Sequence, residues 1–191
     1  MNSSRIFVAL IHHPVYDKNK SIITTSITNF DIHDISRSCR TYGVEKFFIV
    51  HPMESQQFFA RRIIKHWQDG YGSVYNTTRR EALSIIDVEP DLKSLLNNIE
   101  VKYQQPPVII GTSARQQSTS TSYAEMRNII IKTQVPYLIL LGSGWGLPGE
   151  IMSTCDYILS PIQGNSDYNH LSVRAAGAII LDRLLSSDHT K

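Results

Sequence analysis

The chain has 191 residues, 41% of them hydrophobic and 19% charged, with a formal net charge of +2. That length suits one domain over 1–191 with a substantial core; no stretch approaches the ~18 unbroken apolar residues of a membrane span, and MNSSRIFVAL lacks the longer apolar run of a secretory signal. Cys39 and Cys155 form no CxxC pair, so the sequence points to a cytoplasmic protein with no membrane segment, disulfide scaffold or metal site.

Ile6–Ile11 is an unbroken apolar run and reads as the first strand. Asn29 or Asp31 is placed to cap a helix that ends at Gly43, with Ile32, Ile35, Cys39 and Tyr42 on one face. Lys46–Val50 is the next strand. Glu54–Asp69 follows as a helix that stacks Phe58, Phe59, Ile63 and Trp67 and stops at Gly70. Pro90 opens a helix over Asp91–Ile99, with Leu92, Leu95, Leu96 and Ile99 as its stripe. Val108–Gly111 is a strand, Ser113–Ser122 a polar loop, and Ser122–Thr133 a helix. Strands at Tyr137–Leu141 and Tyr157–Leu159 and a helix over Leu171–Leu185 complete the series. The strands are apolar without polar alternation, as strands covered on both faces are. The expected fold is α/β, a mostly parallel sheet with helices on both faces.

Charge is unevenly spread. From Arg37 to Arg80 there are eight basic residues against three acidic ones, whereas Thr133 to Lys191 holds three basic and five acidic. A basic N-terminal half is either a footprint for a polyanion or a solvated surface.

Three strand ends carry unusual residues, where open α/β sheets bind their ligands. They are Gly111-Thr112-Ser113-Ala114-Arg115, Gly142-Ser143-Gly144-Trp145-Gly146-Leu147 and Ser160-Pro161-Ile162-Gln163-Gly164; the last leads to Tyr168-Asn169-His170-Leu171-Ser172 at a helix start. Together they suit a main-chain pocket for a flat heterocycle such as adenine. GSGWG lacks the third glycine of a dinucleotide fingerprint, and Ser143 is not centred as in a nucleophile elbow. The histidines show no metal-ligand spacing and read as surface or capping residues. Trp67 reads as core. Trp145 reads either as a plug over the sheet end or as a pocket wall or stacking platform.

At these residues the chain resembles the SPOUT, or α/β-knot, RNA methyltransferases over essentially its whole length, most strongly from Pro107 to Leu185. The third motif of the ribose-methylating branch, I-P-M-x-G-x-x-x-S-L-N-V-S-V, is matched in register by Pro161, Gly164, Ser172 and Val173, with His170 at the usual Asn and Asn169 at the usual Leu. The second motif keeps Gly142-Ser143 and Gly146-Leu147 without its Glu. The first keeps Arg37, with Asp31 at the expected Asn and His33 at the expected Gly.

The resemblance implies a C-terminal deep trefoil knot and a homodimer whose active sites are completed across the interface, with the last helix as interface material. It implies S-adenosylmethionine as cofactor, held by Thr112, Leu141, Gly142, Ser143, Ser160, Ile162, Gly164, Asn169, Leu171 and Ser172. Arg37 is the implied catalytic residue, with Asp31 or Asp34 as base or as orienting group; a capping role for Asp31 stands beside this. Arg40, Arg61, Arg62, Lys65, Arg79 and Arg80 become candidate phosphate contacts for a tRNA or rRNA. Ribose 2′-O-methylation is the first expectation and a base nitrogen the second. A non-catalytic RNA-binding or assembly factor and an α/β nucleotide-binding protein without RNA remain alternatives.

Overall fold

The computed structural model describes residues 5–187. A seven-stranded, wholly parallel sheet runs in the order β5-β4-β1-β8-β6-β9-β7. Its strands are β1 (Ile6–Ile11), β4 (Lys46–Val50), β5 (Ile86–Glu89), β6 (Val108–Gly111), β7 (Ser120–Thr121), β8 (Tyr137–Gly142) and β9 (Tyr157–Leu159). A separate hairpin pairs β2 (Val15–Tyr16) with β3 (Ile22–Ile23). All six residues of β1 are buried, because side chains alternate between two covered faces.

Ile6, Val8 and Leu10 enter one core, together with residues of α1 (Asn29–Thr41), α2 (Glu54–Gln68), α4 (Thr77–Leu83), α6 (Tyr123–Lys132) and α8 (Val173–Leu185). Phe7, Ala9 and Ile11 enter the other, with Leu95 and Ile99 of α5 (Leu92–Tyr103) and Ile151 of α7 (Gly149–Met152). The short α3 (Tyr71–Tyr75) packs against α2 and α4. The five anticipated strands are present. No helix among the described residues is long and apolar enough to cross a membrane.

The structure corrects several expectations. Thr28, not Asn29 or Asp31, is the N-cap of α1. Its hydroxyl accepts from the Asp31 amide (3.2 Å) and donates to the Asp31 carboxylate (2.6 Å). Thr28→Ala is therefore expected to lower stability by about 1 kcal/mol in urea titration. In α2 the buried positions are Ala60 and Ile64. Phe58 and Phe59 are exposed, because Phe58 lies about half a turn, and Phe59 about a quarter turn, from the core side of the helix. The segment 113–122 is not all loop, since β7 adds to the sheet edge beside β9. Two of the scattered histidines, His12 and His51, are fully buried at strand ends. Trp67, expected in the core, packs against it as a half-buried residue, with Arg79 stacked 4.5 Å from its ring. β5 had not been anticipated; its alternating Ile86-Asp87-Val88-Glu89 suits an edge strand, covered less completely than the centre.

Candidate functional site

Beyond the carboxyl ends of β1, β6, β8 and β9 lies a cleft of about 870 Å³, within the size range of small-molecule pockets. From β1 the chain moves outward to β4 on one side, while β8 and β6 lie on the other. Such a switch point splays the connecting loops apart and opens a crevice.

Nine of the ten cofactor residues suggested by the sequence line it: Thr112, Leu141, Gly142, Ser143, Ser160, Ile162, Asn169, Leu171 and Ser172. Gly164 is exposed and outside it. Thr112 donates its hydroxyl to the Leu140 carbonyl (2.8 Å), bracing β6 to β8 and leaving its main chain to the cleft. Ser172 caps α8 by accepting from the Ala175 amide (3.2 Å). The Asn169 amide donates to the Ala114 carbonyl (2.9 Å), tying the third loop to the first.

The loop after β8 is built tightly. A Cβ at Gly142 would stand 2.8 Å from the Leu147 nitrogen, and one at Gly144 2.8 Å from the Tyr16 carbonyl. Gly144 and Gly146 have φ of +56° and +98°, where side chains are strained. Two hydrogen bonds clamp this loop to the hairpin: Trp145 N–H to the Tyr16 carbonyl (2.8 Å) and Tyr16 N–H to the Gly146 carbonyl (2.9 Å).

Beneath the loop runs a polar chain that sequence reading missed. The Ser143 hydroxyl donates to the Ile11 carbonyl (2.9 Å). The Thr25 hydroxyl must then donate to Ser143 Oγ (2.5 Å), and His12 Nδ1–H to Thr25 Oγ1 (3.0 Å). His12 Nε2 is left as a buried lone pair with no hydrogen-bond partner among the described residues. Burial, and then the facing His51, lower the His12 pKa to about 4. His51 takes the opposite tautomer, accepting from the Met53 amide at Nδ1 (3.1 Å) and donating from Nε2 to the Thr25 carbonyl (3.0 Å). Its pKa is also lowered, chiefly by burial. Burial of a His leaves no local mark in the sequence.

Asp31 lines the cleft, held by Thr28 and lying 3.7 Å from the Arg174 guanidinium, which also reaches Asp34 at 3.4 Å. Arg174 sits in the first turn of α8, where a cation opposes the helix dipole unless it is paired. That misfit marks Arg174 as a residue in need of an acidic partner, without pointing to Asp31 or Asp34 as that partner. Arg37 is exposed on α1 and does not line the cleft. It lies near enough to His33 to help lower that histidine's pKa, after burial and Arg79.

The six basic candidates for RNA contact lie outside the cleft, and they differ. Arg61 donates to the Val88 carbonyl (2.8 Å), Arg40 pairs with Glu81, and Arg79 covers Trp67. Arg62, Lys65 and Arg80 are exposed and make no ion pair among the described residues. No group of three or more His, Cys, Asp or Glu able to hold a metal occurs among the described residues.

The family model described as SAM-dependent RNA methyltransferase matches residues 5–186. A protein of Aquifex aeolicus is 41% identical over 186 residues, covering 97% of this chain and 91% of that one. A protein of Nitratidesulfovibrio vulgaris named tRNA (guanine-N(1)-)-methyltransferase is 42% identical over 180 residues; the match covers 94% of this chain but only 42% of that protein. In fold, the chain is similar to the SpoU methyltransferase AviRb of Streptomyces viridochromogenes in complex with AdoMet. The TM-score is 0.60 at 15% identity, covering 100% of this chain and 63% of that one.

Proposed function

The chain belongs to the family of SAM-dependent RNA methyltransferases, and we propose that its acceptor is the ribose 2′-oxygen of a tRNA nucleotide, methylated by a cytoplasmic homodimer whose C-terminal segment is knotted. It is an RNA methyltransferase, and S-adenosylmethionine is its cofactor. The observation that supports donor binding and proton removal in one place is the convergence of the three strand-end loops on one cleft, with Asp31 on its wall.

The cleft suits the cofactor. Leu141, Leu147, Ile162 and Val173 offer apolar walls for a flat ring, and Ser143, Ser160 and main-chain groups offer partners for its polar edges. S-adenosylmethionine supplies a methyl group on a cationic sulfur that is itself the leaving group. The protein's part is to align the acceptor and to take its proton. Asp31 is the group for the proton, with Thr28 and Arg174 fixing its carboxylate. Arg37 lies outside its own cleft, on a helix packed against α8. We assign it to the cleft of a second copy, where a guanidinium steadies a phosphate or the 2′-oxygen. The partly exposed side of α8, with Ala175, Ala178 and Ile179, and the exposed Phe30 and Leu171 supply apolar surface for that dimer. Of the six basic candidates, Arg62, Lys65 and Arg80 make no ion pair among the described residues and are offered to RNA phosphates.

The 2′-oxygen is supported by Pro161, Gly164, Ser172 and Val173 in the ribose-methylating register. tRNA is supported by the relative's name. A second reading, methylation of a base nitrogen, has the same support. More than half of that relative lies outside the matched stretch, so its named activity is not tied to this stretch.

Calorimetry with S-adenosylmethionine, and methyl transfer to tRNA from cells lacking the protein, test the reading. Binding and a 2′-O-methylated nucleoside are expected. Asp31→Asn is expected to slow transfer ~10²- to 10⁴-fold while leaving donor affinity unchanged. A methylated base would select the second reading. Donor binding without transfer to any RNA would make the chain a non-catalytic factor.

A further inference from the structure

Trp145 is 54% exposed although its backbone is held on both sides, by its own N–H bond to the Tyr16 carbonyl and by the Tyr16 N–H bond to the Gly146 carbonyl. An exposed indole on a rigid loop contributes little to the core. Its ring lies edge-on to His170, with centroids 5.9 Å apart, and His170 lies edge-on to Tyr168 at 5.6 Å. Tyr168 is 73% exposed. Trp145 and His170 both line the cleft, so this aromatic row stands on the rim of the methyl-donor cradle.

Charge on the same cleft fits a nucleotide. The β2–β3 hairpin brings Lys20 to it and the loop after β6 brings Arg115; neither makes an ion pair among the described residues. The ionic side chains lining the cleft are Lys20, Arg115, Asp31 and Asp167, two of each sign; Asp31 is paired with Arg174, whereas Lys20 and Arg115 stand open to an anion.

We propose that Trp145, with His170 and Tyr168, is a stacking platform for the base of the RNA nucleotide to be methylated, whose flanking phosphates are met by Lys20 and Arg115. The proposal rests on the RNA-methyltransferase reading and deepens it. An acceptor atom inside a folded RNA reaches a cleft only if its nucleotide leaves the stack, and the lost stacking is replaced by aromatic side chains. The same platform serves a ribose or a base acceptor, because it grips the ring faces of the base.

The chain has two tryptophans, so Trp67→Phe leaves Trp145 as the sole indole reporter. In that protein, a short single-stranded oligoadenylate is expected to quench the emission, with and without S-adenosylmethionine. In the parent chain, Trp145→Ala is expected to weaken binding of tRNA from cells lacking the protein, and to raise its KM, roughly 10- to 100-fold. The melting temperature and the calorimetric donor affinity stay unchanged, and Trp145→Phe restores most of the RNA affinity. The Lys20→Ala/Arg115→Ala double variant is expected to flatten the salt dependence of RNA binding.

Unchanged RNA affinity in Trp145→Ala overturns the proposal. So does a matching loss of donor affinity, which would make Trp145 a wall of the donor pocket, and so does a change of oligomeric state, which would make it an interface residue. RNA binding is read with and without the donor. Absence of donor binding by the parent chain would therefore strike the methyltransferase reading alone, while the platform is judged on RNA.

Discussion

Replacing Gly142 by Ala is expected to abolish productive binding of the methyl donor. The new Cβ would lie 2.8 Å from the Leu147 nitrogen and 3.0 Å from the Gly146 carbon, both main-chain atoms with no rotamer to yield. The loop must move instead. Ser143 would be drawn off Ile11 and Thr25, and Trp145 off Tyr16. A displacement of about 1 Å in a positioning element costs on the order of 100-fold. A loss of at least that size is expected in donor affinity and in kcat/KM, against a stability cost of about 1–3 kcal/mol for overpacking. Gly164→Ala is the matched control. A Cβ there meets nothing within 4 Å, and Gly164 stands outside the cleft, so donor affinity should hold within about twofold. Equal effects of the two substitutions in calorimetry would sink this account of the cradle.

Acid is expected to weaken the fold through His12, starting well above the range where carboxylates protonate. The unfolded chain takes up a proton near the ordinary value of 6.5, whereas the folded chain resists until about pH 4. A depressed folded-state pKa gives stability that is whole above pH 6.5 and drains away as pH falls towards 4. The loss across that window is about 3 kcal/mol, a large share of the ~5–15 kcal/mol of a typical domain. His51 acts in the same direction. Urea midpoints taken from pH 7.5 to 4.5 measure the slope. His12→Asn keeps a donor towards Thr25 and removes the titrating ring, so its slope should be much shallower. Parallel slopes in parent and variant would show that the acid sensitivity lies elsewhere.

The central sheet was legible because its strands are short apolar runs, and a strand buried on both faces has no other way to read. β5 was not, since an edge strand carries Asp87 and Glu89 and resembles a turn. The β2–β3 hairpin was hidden for another reason. Each of its strands is two residues long, and its place is fixed by Tyr16 meeting a loop almost 130 positions later. The strand-end loops that line the cleft could be read from glycines close after apolar runs. The partners of Asp31 could not, because Arg174 reaches it from a helix at the far end of the chain. His12 shows the same limit: its burial depends on Thr25, His51 and Ser143, which no local spacing relates to it.

The strand order also governs how the nascent chain can assemble on the ribosome. β8 lies between β1 and β6, so the first strand made keeps one flank open until residue 142 has emerged. Until then an apolar edge stands unpaired, able to capture a neighbouring polypeptide or to call for a chaperone. Pairing across so much intervening sequence makes closure the slow event of maturation. Truncated products ending before β8 should accumulate as aggregates rather than as partial enzymes.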